Sequence, residues 1–136
     1  MTLAEKHRRL LEEYAAIDDP QERLAAVVDR ARRRPPLPPH ERTDAHRIKG
    51  CVSAAWLVGE CHAGRCQFRS DADSPIVRGL LALLADLHSG ATPGEIAAAE
   101  SSLLDDLGLT RSLSPTRLNG LHAAARAMRD FARSQA

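Results

Sequence analysis

Four prolines in five residues, Pro35-Pro36-Leu37-Pro38-Pro39, constrain this chain more than any other feature. Proline fixes φ and lacks an amide hydrogen, so neither a helix interior nor a central strand passes through such a run. An extended polyproline segment does. The run separates a helical beginning from the rest of a 136-residue chain. A chain of this length is one domain by size, and the pieces on either side are too small for two cores. The prolines therefore read as a rigid crossover on the surface of a single domain, residues 1–136.

Upstream, Leu3, Leu10, Leu11, Tyr14 and Ile17 fall at helical spacing, which predicts a helix over 4–16. Asp19-Pro20 opens a second helix with an N-cap and a proline in the first turn. Leu24, Val27, Val28 and Ala31 form its buried face, and Arg30, Arg32, Arg33 and Arg34 load its last turn, where cations suit the helix dipole. Downstream, Ala54 to Gly59 is a short apolar run and Gln67-Phe68-Arg69 alternates. Cys61-His62-Ala63-Gly64-Arg65 lies between them as a turn, so the segment reads as a β-hairpin. His46-Arg47-Ile48-Lys49 alternates too and supplies a third strand, with Cys51 in a loop just past Gly50. A dense apolar helix follows (Ile76, Val77, Leu80, Leu81, Leu83, Leu84, Leu87), capped by Asp73 or Ser74. Thr92-Pro93-Gly94-Glu95 starts a short helix, Leu103 to Leu107 gives one or two turns, and Ser114-Pro115 opens the last helix.

The charges exclude some partners. Nineteen basic residues against eighteen acidic ones leave a net charge of +1, which is no nucleic-acid footprint. Aromatics are only 3% of the chain, too few for a platform of stacking rings. The balance is uneven: residues 71–106 carry seven acids and one base, and residues 107–136 carry five arginines and one acid. Such polarity suits solvated helix faces or docking to a partner of mixed charge. No stretch approaches the ~20 apolar residues of a membrane span. The first residues have no apolar signal core, so a cytoplasmic protein with reduced thiols is expected.

Among chemistry-bearing residues, Cys51 stands out. It follows a glycine and has His46, Arg47 and Lys49 close in sequence, and a thiol near cations ionises more readily to its reactive form. The same residues also allow a small buried cysteine in a strand. Cys61 and Cys66 flank the hairpin turn as C-x4-C, a spacing that matches no usual zinc ribbon or finger, so facing incidental thiols are expected and no metal. Arg117 lies in the first turn of the last helix, where the dipole disfavours a cation, which points to a specific partner for it.

Three segments, in order, resemble the SufE-like family of sulfur acceptors. Arg47-Ile48-Lys49-Gly50-Cys51-Val52-Ser53-Ala54-Ala55-Trp56-Leu57-Val58 is similar to the family's cysteine segment. Ser70-Asp71-Ala72-Asp73-Ser74-Pro75-Ile76-Val77-Arg78-Gly79-Leu80 is similar to the segment that opens its central helix. Leu109 to Leu121, with Leu113-Ser114-Pro115-Thr116-Arg117-Leu118-Asn119-Gly120, is similar to the one that opens its last helix. The resemblance implies a two-layer α+β fold, an antiparallel sheet of about three strands covered by helices. It implies an accessory protein and not an enzyme, one that accepts persulfide sulfur on Cys51 from a pyridoxal-phosphate cysteine desulfurase. Such a protein stimulates the desulfurase and relays sulfur to an iron–sulfur cluster scaffold.

By the same resemblance Asp73 helps hold the Cys51 loop and Arg117 helps dock or activate, with His46 and Lys49 as further cations. Gly50, Ser53, Trp56 and Asn119 are the implied partner-binding positions. No resident cofactor is implied beyond a transient Cys51 persulfide, and the chain is expected as a monomer or weak dimer. Ala54 departs from the family, which usually has glutamine there. Two alternatives remain at this point: a cluster or metal scaffold using Cys51, Cys61 and Cys66, and a desulfurase-binding adaptor that accepts no sulfur.

Overall fold

A computed structural model describes residues 1–50, 53–100, 102–111 and 113–135. Two helices lead, α1 (Leu3–Ala15) and α2 (Pro20–Arg32). The crossover then reaches a hairpin of β1 (Ala55–His62) and β2 (Arg65–Ala72), followed by α3 (Pro75–His88), α4 (Pro93–Ala98), α5 (Leu103–Asp106) and α6 (Pro115–Gln135). The class is α+β, as expected. The sheet is smaller than expected: β1 and β2 pair antiparallel from Ala55↔Ala72 to His62↔Arg65, and the third strand shrinks to a single bridge, Arg47↔Trp56. That segment still covers the outer edge of β1, because the Ile48 amide donates to the Ala55 carbonyl (2.8 Å) and the Leu57 amide to the His46 carbonyl (2.9 Å). Gly50, at φ 96°, ends it.

The turn is also shorter than the sequence suggested. Only Ala63 (φ 52°) and Gly64 (φ 77°) lie outside the strands, the positive-φ pair that a two-residue hairpin turn requires. Cys61, His62 and Arg65 are therefore strand residues. The free edge of β2 is capped by the stretch after α3: the Cys66 amide donates to the Ala91 carbonyl (2.9 Å), and the Gly90 amide to the Cys66 carbonyl (2.7 Å).

Strand alternation gives the hairpin two faces. The inner face (Ala55, Leu57, Gly59, Cys61 with Ala72, Phe68 and Cys66) packs on α3 and α6. Helix α3 is the centre of the molecule, buried from Gly79 to His88. Ser74 caps it, accepting from the Val77 amide, so of the two candidates the serine is used. Thr92 and Glu95 form the expected capping box of α4, and Glu95 also accepts from the Leu3 amide at 2.9 Å, which fastens the start of α1. The outer face of the hairpin is exposed at its tip. Its base is covered by the proline crossover, where Leu37 is buried and the Arg42 guanidinium lies 4.9 Å from the centre of the Trp56 ring.

Candidate functional site

Cys51 and Val52 lie outside the described residues, so the site is defined by what flanks them. Before them, Ile48 is buried and hydrogen-bonded to Ala55. After them, the Ala54 carbonyl accepts from the Asp73 amide at 3.0 Å, which carries the β1–β2 pairing one step past Ala55↔Ala72. The described residues on both sides of the pair are therefore fastened at the base of the hairpin. Gly50 lies against α6: a Cβ placed on it would stand 3.4 Å from that of Ala123.

The other sequence-predicted residues gather only in part. Asp73 is next to the loop, but its backbone amide makes the link while its carboxylate is exposed. His46 is half-buried, with Nδ1 3.0 Å from the Glu41 carbonyl, and Lys49 is exposed. Ser53 is half-buried, and Trp56 lies beneath Arg42 on the outer face. Asn119 is exposed one turn before Ala123, on the side of α6 that meets Gly50. Arg117 is exposed too. Its amide donates to the Ser114 hydroxyl oxygen (3.3 Å), and its guanidinium makes no ion pair among the described residues.

The sequence reading passed over Asp71. Sequence alone leaves it as one more acid beside Asp73, yet it is only 1% exposed. One carboxylate oxygen accepts from the Leu37 amide (3.0 Å) and pairs with Arg42 (3.2 Å). The other accepts from the Ala72 amide (2.9 Å) and pairs with Arg78 (3.2 Å). A single buried charge thus ties the crossover, the end of β2 and the first turn of α3. With Arg32, Asp73 and Pro36 these groups line a cleft of about 240 Å³ next to the loop anchors. No local signal marks Asp71, because it sits on the outer face of β2, and the crossover that covers it comes from thirty-four residues away.

Cys61 and Cys66 differ from expectation in their chemistry. They face each other across the hairpin and are joined as a disulfide, with Cα atoms 4.2 Å apart, where free thiols were expected. Among the described residues no group of three or more His, Cys, Asp and Glu side chains is placed to hold a metal ion, and no helix is long and apolar enough to cross a membrane.

An α+β domain whose cysteine motif is flanked by residues fastened at the base of a hairpin defines a class of small proteins. The comparisons are specific about which. The family model of the SufE domain, associated with Fe–S metabolism, matches residues 8–132. An uncharacterized SufE-like protein of Rhizobium etli is 31% identical over 133 residues, 94% of this chain and 90% of its own length. One from Synechocystis is 28% identical over 121 residues, 89% of this chain and 76% of its own length. The solution structure of a hypothetical protein from Thermus thermophilus shares the fold, with a TM-score of 0.77 at 21% identity, covering 95% of this chain and 94% of that one. This chain belongs to the SufE family, and its role lies in iron–sulfur metabolism.

Proposed function

We propose that this protein accepts persulfide sulfur on Cys51 from a cysteine desulfurase, stimulates that enzyme and relays the sulfur to an iron–sulfur cluster scaffold. The observation that carries the reading is the fastening of both flanks of Cys51 within a family whose matched region spans the motif: Ile48 to Ala55 on one side, Ala54 to Asp73 on the other. Fixed flanks give a partner a constant place at which to dock beside the motif.

The chemistry follows from thiol exchange. The Cys51 thiolate attacks the terminal sulfur of the partner's persulfide, a new S–S bond forms at Cys51, and the partner's thiolate leaves. Lys49 and Arg117, both exposed, are the cations available to favour the thiolate or to meet an acidic partner surface. The group that liberates sulfur from cysteine, pyridoxal phosphate, belongs to the partner. The scaffold alternative is disfavoured by position. Cys61 lies six residues along β1 from Ala55, about 20 Å at strand rise, and its sulfur is bonded to that of Cys66. The protein acts as a carrier in the cytoplasm and not as an enzyme in its own right.

Intact mass after incubation with a cysteine desulfurase and cysteine tests the reading. The wild type is expected to gain ~32 Da per sulfur, and Cys51→Ser none. No gain while the desulfurase turns over would favour the adaptor, and a gain that persists in Cys51→Ser would move acceptance to another cysteine.

A further inference from the structure

The hairpin tip holds a second sulfur centre that the proposed transfer reaction does not use. In an antiparallel ladder, directly opposed residues alternate between hydrogen-bonded pairs and closer non-hydrogen-bonded pairs. The Cys66 amide and carbonyl both point away from β1, to Ala91 and Gly90. Cys61↔Cys66 is therefore a non-hydrogen-bonded pair, and its 4.2 Å Cα separation fits that position. The register itself holds the two sulfurs together. Their surroundings are unequal. Cys66 is 0% exposed within the main core, whereas Cys61 is half-buried at its margin.

The bond is also not what holds the hairpin. The Ala63–Gly64 turn, the pairing that continues down to Ala55↔Ala72 and the two bonds from Cys66 to Gly90 and Ala91 fix the tip without it. It closes a loop of only four intervening residues, so opening it releases little chain entropy.

We propose that Cys61–Cys66 is a reversible exchange site for low-molecular-weight thiols of the glutathione class, with Cys61 as the attacked sulfur and Cys66 as the resolving one. A small thiolate attacks Cys61 Sγ, the Cys61–Cys66 bond breaks, and Cys66 leaves and takes up the proton the small thiol lost. A second small thiolate then attacks the small-molecule sulfur of the mixed disulfide. Cys61 leaves as a thiolate, is protonated, and a small-molecule disulfide departs. The protein gains two electrons and two protons, and two small thiols are oxidised. In reverse, Cys66 thiolate attacks the mixed disulfide at Cys61 and restores the bond. The site stands about 20 Å from the base of the hairpin, so it works independently of Cys51.

The test uses the full chain with Cys51→Ser, which keeps its outcome separate from that of sulfur acceptance. The protein is equilibrated in reduced and oxidised glutathione at a series of ratios, trapped with an alkylating agent under denaturing conditions and weighed intact. One reversible transition is expected, between a form that takes two alkyl groups and a form that takes none. In the native state, Cys51→Ser/Cys66→Ala is expected to form a mixed disulfide with oxidised glutathione at least about tenfold faster than Cys51→Ser/Cys61→Ala, as exposure dictates. Two groups alkylated at every ratio, or none at any ratio, would overturn the proposal. Equal native rates at the two positions would overturn the assignment of roles. Circular dichroism of each form establishes that the fold is kept, and the titration of Cys51→Ser alone decides the matter if either double variant unfolds.

Discussion

At the scale of single residues, the fold depends on a few buried polar groups whose partners are far away in sequence. Asp71 is the clearest. It is fully enclosed, its two oxygens meet two amides and two guanidinium groups, and those contacts tie the crossover and the first turn of α3 to the end of β2. Removing the charge while keeping the shape leaves Arg42 and Arg78 without their counter-ion, though both guanidinium groups reach solvent and are partly compensated there. Asp71→Asn is therefore expected to lower the unfolding free energy by about 2 kcal/mol, below the full cost of breaking a wholly buried pair. Urea denaturation of the variant measures it, and a change within about 0.5 kcal/mol, typical of a surface substitution, would mean that the amide bonds alone do the holding. The residues proposed to carry chemistry were easier to see in the sequence than this one. Cys51, Asp73 and Arg117 lie in contiguous motifs, which a single chain displays in order. Asp71 lies in the same motif as Asp73, but its burial depends on a proline crossover arriving from elsewhere. Asp86 shows the same logic on α3, where Arg30 of α2 (2.9 Å) and Arg34 just past its end converge on a carboxylate that sequence alone leaves as one more acid.

At the scale of elements, what was legible was local and what was missed was tertiary. Caps and periodicity located the six helices of the described residues, because Thr92, Ser114 and the leucine spacing of α3 act within a turn or two. The third strand was misjudged because its length is set by how far it stays beside β1, and only Arg47 remains paired in bridge geometry. The facing of Cys61 and Cys66 was legible, but the disulfide was missed because sequence spacing says nothing of whether two facing thiols are oxidised. Helix packing adds a requirement that propensity scales argue against. Gly79 sits inside α3, where alanine would ordinarily gain about 1 kcal/mol. A Cβ there would meet the Val28 Cα at 2.9 Å and its amide nitrogen at 3.1 Å, backbone atoms that move only if α2 moves. Gly79→Ala is expected to destabilise the protein by about 1–3 kcal/mol, as overpacking does. Gly94 in α4 is the control: nothing lies within 4 Å of its added Cβ, so Gly94→Ala is expected to gain about 0.4–1 kcal/mol. Thermal midpoints that rise for both variants would show that α2 and α3 separate freely.

At the scale of the whole molecule, α1, β2, α3 and α6 meet around His88, the last residue of α3, only 1% exposed. Its Nδ1 lies 2.8 Å from the Leu84 carbonyl, which can only accept, so that nitrogen carries the proton of the neutral ring. The Phe68 ring stands edge-on at 6.5 Å. Burial pushes the His88 pKa below its ordinary 6.5, the cations of Arg129 and Lys6 push the same way, and the Leu84 bond opposes them without prevailing. In the unfolded chain the ring returns to its ordinary range. Below about pH 6.5 the unfolded state therefore binds a proton that the folded state refuses, and stability must fall as the pH falls. The contribution is fully present above that pH and declines beneath it until the folded ring also protonates, with a limiting slope of about 1.4 kcal/mol per pH unit for one proton. Three carboxylates are held below their ordinary range: Glu41 by Arg69, Glu60 by His62 and Arg69, Glu95 by the Leu3 amide. They titrate beneath this window and do not confuse it. Unfolding free energies measured by urea between pH 7.5 and 5.5 are expected to decline in the wild type. His88→Gln, whose side-chain amide can still donate to Leu84, is expected to give a flatter profile from a lower starting stability. Equal slopes for the two proteins would show that the junction of the four elements admits a charged ring, and that the acid sensitivity of this fold arises at another group.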